Sequence, residues 1–364
     1  VTNTSRVAVV AAGGTGGHLF PAEALANALS ARGWRIVLAT DSRGDQYAQA
    51  FPAEERLSLE AATFRSGDPI GMLRASLRIS KGVGQARKAY ARLKPAVVVG
   101  FGGYPSLPAL LAAKSRRIPT VIHEQNAVLG RVNRRLAANA TAVACAFPTL
   151  MKASPKIAKR VHVVGNPVRP DIAALYDRPY VPPDQTVRLL VTGGSQGARL
   201  LSELVPDAMH LLSEDLRCRL RIEQQTRVES IDFARRAFRE AGVECEIAPF
   251  FRNMSGRLEQ AHIVVGRAGA STVSELSVAG LPSILVPLKI AMDDHQTYNA
   301  KLLTDVGAAV VLKEEGLTAE AFARTLEEMA SDPQALAQRA AAARSVAAPR
   351  AAEQLADLVE QVAA

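Results

Sequence analysis

Cysteine is scarce in this chain. Only Cys145, Cys218 and Cys245 occur among 364 residues, far apart and odd in number. With no C-x-x-C pair, a disulfide framework or a zinc ribbon is not expected, and the usage fits a reducing cytosol. Aromatic residues are few, at 5%, with Trp34 the single tryptophan. That argues against a stacking platform for single-stranded nucleic acid, and no nucleic-acid partner is expected. Long apolar runs are missing as well. The longest uncharged stretch, Pro95 to Ala113, is interrupted by Gly100, Gly102, Gly103, Pro105 and Pro108, so no transmembrane segment is expected. The apolar run near the start, Val7 to Ala12, is too short for a signal-peptide core.

Acidic residues are missing from one region. Between Pro69 and Pro170 the only acid is Glu124. Residues 1–170 hold 24 basic and 8 acidic side chains, whereas residues 171–364 hold 20 and 27. The overall charge of +9 therefore belongs to the first half, which suggests an anionic surface or partner there.

What is present is a repeating scheme of a short apolar run, a glycine-rich turn and an amphipathic segment. Val7–Ala12 leads into Gly13-Gly-Thr-Gly-Gly-His18, and Ile36–Thr40 into Asp41. Ala96–Val99 leads into Gly100-Phe-Gly-Gly-Tyr104, and Thr120–Ile122 into His123-Glu-Gln-Asn126. The scheme restarts at Val187–Thr192 with Gly193-Gly-Ser-Gln-Gly-Ala198, then at Ile263–Val265 with the run Gly266 to Glu275. β-branched runs alternating with helical patterns predict βαβ units on parallel sheets, in two equivalent α/β halves. At about 150 residues per domain the length also suggests two. Prolines 167, 170, 179, 182 and 183 mark a linker, which sets domains at 1–169 and 170–347. The Ala-rich tail reads as helices interrupted at Pro349, and a last helix at about 348–364 can pack back on the first domain.

Glycine turns between strand and helix aim backbone N–H groups at an anion, and the helix dipole favours negative charge there. Four such turns point to a nucleotide. A P-loop is excluded, because no G-x-x-x-x-G-K-[ST] occurs. The dinucleotide pattern G-x-G-x-x-G is not met, although Asp41 sits where such a fold places its ribose acid. His18 follows Gly17 at the first turn, where it could take a proton from a hydroxyl. His123 and Glu124 end another strand on the same expected edge. Glu275 lies on the helix after Gly269, where a carboxylate can accept from a ribose diol. No HExxH, no D-x-D and no paired Cys/His occur, and the adjacent Asp293 and Asp294 would point to opposite faces of a strand.

Taken together, these segments, with Gly165-Asn-Pro-Val-Arg169 and Asp294-His-Gln-Thr-Tyr-Asn299, resemble the MurG-type family of bacterial N-acetylglucosaminyltransferases of peptidoglycan synthesis. The resemblance runs along nearly the whole chain. It implies a GT-B fold, two doubly wound Rossmann-like domains facing a cleft. It implies an inverting transfer of N-acetylglucosamine from UDP-N-acetylglucosamine to the muramyl 4-hydroxyl of undecaprenyl-diphosphate-muramyl-pentapeptide (lipid I), giving lipid II and UDP. No obligate metal or cofactor is implied. From their places at the strand ends, His18 and Glu124 are the catalytic candidates, and the resemblance assigns the donor side. Thr15, Gly16, Gly17 and Asn126 contact the donor from the first domain, and Arg169 meets the nucleotide at the hinge. Ser195 binds a phosphate, and the backbone of Phe251 reads uracil. Ala270, Ser271, Thr272, Val273, Ser274 and Glu275 hold the diphosphate and ribose, and Gln296 binds the sugar. Some members carry Gln where this chain has His295. Other readings are a related GT-B lipid glycosyltransferase or sugar-nucleotide epimerase, a non-catalytic sugar-nucleotide-binding protein, or an NAD-dependent oxidoreductase using Gly13 to Asp41.

A lipid-linked acceptor adds meaning to the basic half. Ile70, Leu73 and Leu77 share one helical face, with Arg74, Arg78 and Lys81 beside it. Such a helix suits peripheral binding to the anionic cytoplasmic face of the inner membrane. The alternative is an ordinary crossover helix whose apolar face covers the sheet. Gly82 and Gly84 are expected to limit its length.

Overall fold

A computed structural model describes residues 6–13, 16–41, 51–62, 68–194 and 197–364. The chain divides into two units, Val1–Arg169 with Arg350–Ala364, and Pro170–Pro349.

The first unit is built on seven parallel strands: β1 (Val7–Ala11), β2 (Arg35–Thr40), β3 (Glu55–Ser58), β4 (Val97–Gly100), β5 (Thr120–Glu124), β6 (Ala142–Cys145) and β7 (Val161–Val163). Their spatial order is β3-β2-β1-β4-β5-β6-β7, all pairs parallel. Along β1, Val7, Val9 and Ala11 pack with Tyr90, Leu110 and Ile122 on one face. Ala8 and Val10 pack with Leu25, Leu29 and Leu355 on the other. Burial on both faces is why the strand reads as a continuous apolar run rather than an alternation.

Helix Ala351–Ala363 closes this unit. Leu355, Ala356 and Val359 are fully buried against the first-unit core. Arg32 pairs with Asp357 at 2.7 Å and Glu360 at 2.8 Å, and Trp34 Nε1 donates to Glu360 at 2.9 Å. Exposed pairs of this kind are worth about 0–1 kcal/mol. Each large buried aliphatic side chain contributes about 1.5–3 kcal/mol. Apolar burial therefore holds the helix, and the ion pairs orient it.

The second unit carries six parallel strands: β8 (Val187–Thr192), β9 (Leu220–Gln225), β10 (Glu244–Ala248), β11 (Ile263–Gly266), β12 (Ser283–Leu285) and β13 (Ala309–Val311). The order is β10-β9-β8-β11-β12-β13. Along β8, Val187, Leu189 and Val191 share a core with Leu201, Phe238, Phe322 and Leu326. In both sheets the strand order reverses at the first strand, between β1 and β4 and between β8 and β11. That is the topological switch point where open α/β sheets bind ligands.

One expectation changes and two readings gain detail. Helix Pro69–Leu93 runs 25 residues through both Gly82 and Gly84. Gly82 is needed for close approach, since a Cβ there would lie 2.1 Å from Glu60 O. The proline-rich segment after Arg169 starts with packed residues, Ile172 at 0% and Leu175 at 6% exposure, and continues exposed, with Val181 at 67%. Asp293 and Asp294 lie in no strand. Both take left-handed conformations, φ 56 and 54, in the turn before helix His295–Thr304.

Candidate active site

In the first unit the carboxyl ends of β1, β4 and β5 gather the candidate residues. His18 stands in the first turn of helix Gly16–Ala31 and is half-buried. Its Nδ1 lies 3.1 Å from Gln125 Oε1. Gln125 Nε2 lies 3.1 Å from His123 Nδ1 and also donates to His123 O at 3.3 Å. His123 Nε2 in turn meets Gly165 O at 3.0 Å. His123 is fully buried and packs at 5.3 Å from the Phe101 ring. Burial drives its pKa down to about 4, so it is a neutral imidazole at physiological pH.

The turn after β4 supplies backbone. Gly102 and Gly103 have φ of +81 and +70, which favours glycine at both. A Cβ at Gly103 would sit 3.5 Å from His18 Nε2, an ordinary van der Waals contact, so that nitrogen lies beside the turn. Glu124 is 2% exposed. Its Oε1 accepts from Asn126 N at 3.1 Å and Asn126 Nδ2 at 3.4 Å. Its Oε2 accepts from Gly130 N at 2.9 Å and Asn133 Nδ2 at 2.8 Å. The carboxylate thus ties the 125–130 loop to helix Arg131–Leu136 and orients Asn126. Gly16 is buried and Gly17 exposed in the same turn as His18. The Arg169 guanidinium lies 5.5 Å from the Phe20 ring centroid on that helix. Glu23 lies nearby, its carboxyl raised by burial and lowered in part by Arg169. Asp41 is 7% exposed and close-packed against Gly13, where a Cβ would lie 3.0 Å from Oδ1. It is not presented as a ribose acid would be.

In the second unit, Gly193 begins the turn after β8. A Cβ there would lie 2.2 Å from Ala198 N, so the loop can fold back on itself only around glycine. Gln225 clamps it: Oε1 accepts from Thr192 Oγ1 at 3.0 Å and Gly193 N at 3.3 Å, while Nε2 donates to Gly194 O at 3.0 Å. After β11, Gly269 is the N-cap of helix Ala270–Ala279, and no side chain caps it. Such a helix start favours an anion. Ser271 and Thr272 are half-buried at that start, and Glu275 is half-buried in its second turn. Ser274 is 8% exposed. Val273 is fully buried, and its N–H already bonds Gly269 O at 3.0 Å, so it serves the core. Ala270, 8% exposed, can offer a ligand little beyond its backbone. Gln296 Oε1 accepts from Leu288 N at 2.9 Å, which turns Nε2 away from that bond. His295 Nδ1 donates to Met292 O at 2.8 Å. Phe251 is 4% exposed beneath the Arg257 guanidinium, 3.8 Å from its centroid, which leaves its backbone to make any contact. Thr15 and Ser195 lie outside the described residues.

Several residues that shape these sites carried no role in the sequence. Gln125 and Asn299 stood inside recognised runs without an assignment. Asn299 is fully buried and donates to Ala268 O at 3.1 Å, holding the loop before helix Ala270–Ala279. Arg267 bonds Glu314 at 3.0 Å and Val286 O at 3.0 Å, bracing three strand-end loops. Gln225 and Asn133 had no motif around them to mark them.

On the basic helix, Ile70, Leu73 and Leu77 are 67%, 63% and 63% exposed. Arg74, Arg78 and Lys81 are exposed beside them, with Lys81 paired to Glu60. The core-facing stripe is a different one: Ala75, Ile79, Ala86, Tyr90 and Leu93. The exposed trio is therefore not the face that covers the sheet. Among the described residues no helix is long and apolar enough to cross a membrane.

Comparison with known proteins matches residues 8–145 to the glycosyltransferase family 28 N-terminal domain and residues 188–361 to the family 28 C-terminal domain. The chain is 62% identical over 359 residues to a UDP-N-acetylglucosamine–N-acetylmuramyl-(pentapeptide) pyrophosphoryl-undecaprenol N-acetylglucosamine transferase of Caulobacter vibrioides, covering 99% of each chain. It is 64% identical over 360 residues to the protein of that name from Phenylobacterium zucineum, covering 98% of this chain and 99% of the other. Among solved structures it resembles Acinetobacter baumannii MurG, with a TM-score of 0.80, 31% identity, and coverage of 98% and 99%.

Proposed function

The chain belongs to the family of UDP-N-acetylglucosamine–N-acetylmuramyl-(pentapeptide) pyrophosphoryl-undecaprenol N-acetylglucosamine transferases, and we propose on that premise how its two units divide the work. The fold is GT-B, with two doubly wound α/β units. The reaction transfers N-acetylglucosamine from UDP-N-acetylglucosamine to lipid I, forming lipid II and UDP.

In this reading the acceptor is the muramyl 4-hydroxyl. Its oxygen forms a bond to the anomeric carbon of the donor, and its proton passes to His18 Nε2. The bond from that carbon to the diphosphate oxygen breaks, and its electron pair leaves with UDP, inverting the configuration. The observation that carries the reading is the His18 ring: Nδ1 is held by Gln125 at 3.1 Å, and no hydrogen bond among the described residues engages Nε2. A base needs that free lone pair, and a positioned base is worth roughly 10²–10⁴ in rate. Glu124 acts by ordering Asn126, which together with Thr15, Gly16 and Gly17 meets the donor. Arg169 meets the nucleotide.

The second unit holds UDP. The N–H groups at the start of helix Ala270–Ala279, with Ser271, Thr272, Ser274 and Ser195, take the diphosphate. Glu275 takes the ribose diol, the Phe251 backbone the uracil, and Gln296 Nε2 the sugar. Helix Pro69–Leu93 carries the membrane contact, with Ile70, Leu73 and Leu77 entering the anionic cytoplasmic leaflet and Arg74, Arg78 and Lys81 meeting its headgroups. The test is incubation with UDP-N-acetylglucosamine and lipid I, read by mass. The product gains one N-acetylglucosamine residue per UDP released. Binding of the donor without transfer would leave a sugar-nucleotide-binding protein, and binding of NAD in its place would favour the oxidoreductase.

A further inference from the structure

A buried polar line runs from Gly165 through His123 and Gln125 to His18, and the chemistry of its fixed end sets every proton along it. Gly165 O can only accept, so His123 Nε2 carries the hydrogen at 3.0 Å. His123 is fully buried, with its pKa down to about 4. It is therefore neutral, and Nδ1 holds a lone pair. That lone pair accepts from Gln125 Nε2 at 3.1 Å. The second contact of Gln125 Nε2, to His123 O at 3.3 Å, requires the same orientation of the amide, because an oxygen there would face another oxygen. Gln125 Oε1 is then the end turned to His18, and it can only accept. His18 Nδ1 must donate, which in the neutral imidazole leaves Nε2 with the lone pair.

We propose that Gln125 is a positioning residue that locks His18 in its Nδ1–H tautomer, aiming an unprotonated Nε2 at the acceptor hydroxyl. The inference rests on His18 acting as the base. Gln125 is 2% exposed, so bulk water is poorly placed to substitute for its carbonyl. Neither His123 nor Gln125 touches substrate in this scheme. His123 fixes the amide of Gln125, and Gln125 fixes the ring of His18.

The tautomer is directly measurable by the ¹⁵N shifts of the His18 ring in the full-length protein, read beside transfer kinetics. Wild type should show a protonated Nδ1 and an unprotonated Nε2 at neutral pH. Gln125→Leu should shift His18 toward the Nε2–H form and lower kcat about 10-fold to 100-fold, the scale of one buried hydrogen bond. The KM for UDP-N-acetylglucosamine should stay within about twofold of wild type, because no donor contact is lost. Gln125→Glu, protonated in this buried position, can donate its O–H to His123 Nδ1 and keep its carbonyl for His18 Nδ1–H, so it should retain that tautomer and recover much of kcat. An Nε2–H tautomer in wild type would overturn the proposal. So would Gln125→Leu with an unchanged tautomer, whether kcat persists or falls together with donor binding. Failure of the transferase reading looks different: the Nδ1–H tautomer would persist in a protein that transfers no sugar.

Discussion

Exposure of Leu73 and Leu77 to water has a calculable consequence at a lipid surface. Fully burying a Leu or Ile side chain gains about 1.5–3 kcal/mol. Ile70, Leu73 and Leu77 are about two-thirds exposed, so entry into an interface gains about 1–2 kcal/mol for each. Near anionic lipid, Arg74 and Arg78 add about 1 kcal/mol apiece. Lys81 adds less, because Glu60 already engages it. Replacing Leu73 and Leu77 by Ser should therefore remove about 2–4 kcal/mol, a fall of roughly 30-fold to 10³-fold in partitioning. Reversing Arg74 and Arg78 to Glu should release the protein from anionic vesicles and leave any zwitterionic binding unchanged. Both variants should fold, because the core stripe of this helix is Ala75, Ile79, Ala86, Tyr90 and Leu93. The assay is co-sedimentation with vesicles at low salt and at about 1 M salt, where the Debye length shrinks to about 3 Å. UDP-N-acetylglucosamine affinity is the internal control. Wild type ignoring anionic vesicles at low salt would remove this helix from the membrane, as would either variant binding them as well as wild type.

Glu275→Ala should weaken UDP-N-acetylglucosamine binding by about 1.5–3 kcal/mol, the worth of a hydrogen bond to a charged group. Unchanged affinity in calorimetry would remove Glu275 from the ribose. His123 gives a stability signature. Its native pKa of about 4 lies below the unfolded value of about 6.5, so the unfolded chain takes the proton first. Stability should be flat from this group above pH 6.5 and fall, by up to about 3 kcal/mol, as pH drops from 6.5 to 4. Urea unfolding at pH 7.5 and pH 5 measures it, and His123→Gln should flatten that difference. Because N–H groups at the start of helix Ala270–Ala279 are assigned the leaving diphosphate, transfer should proceed at full rate in EDTA. A full, reversible loss of activity there would show that those donors do not suffice.

Much of this architecture is written in local pattern. Val7–Ala11 and Val187–Thr192 read as buried parallel strands because both faces of each sheet are covered, and a glycine-rich run follows each of them. What stayed hidden depends on contacts distant in sequence. Gln125 becomes informative only when His18, 107 positions away, folds against it. Gln225 clamps Gly193 across 32 positions, with no motif around it. The continuity of helix Pro69–Leu93 through Gly82 was missed for a related reason: helix propensity counts glycine as a breaker, but the close backbone of Glu60 demands one. The exposed trio was visible in the period of the sequence. Its separation from the core stripe was not, since both stripes carry apolar residues on one helix.

The role of His18 as the base is decided by following labelled N-acetylglucosamine onto lipid I at saturating donor, in wild type and in His18→Ala. Wild type should form lipid II and UDP in equal amounts. His18→Ala should turn over roughly 10²–10⁴-fold more slowly with its donor dissociation constant unchanged. Full turnover in His18→Ala at saturating donor would show that the proton leaves by another route.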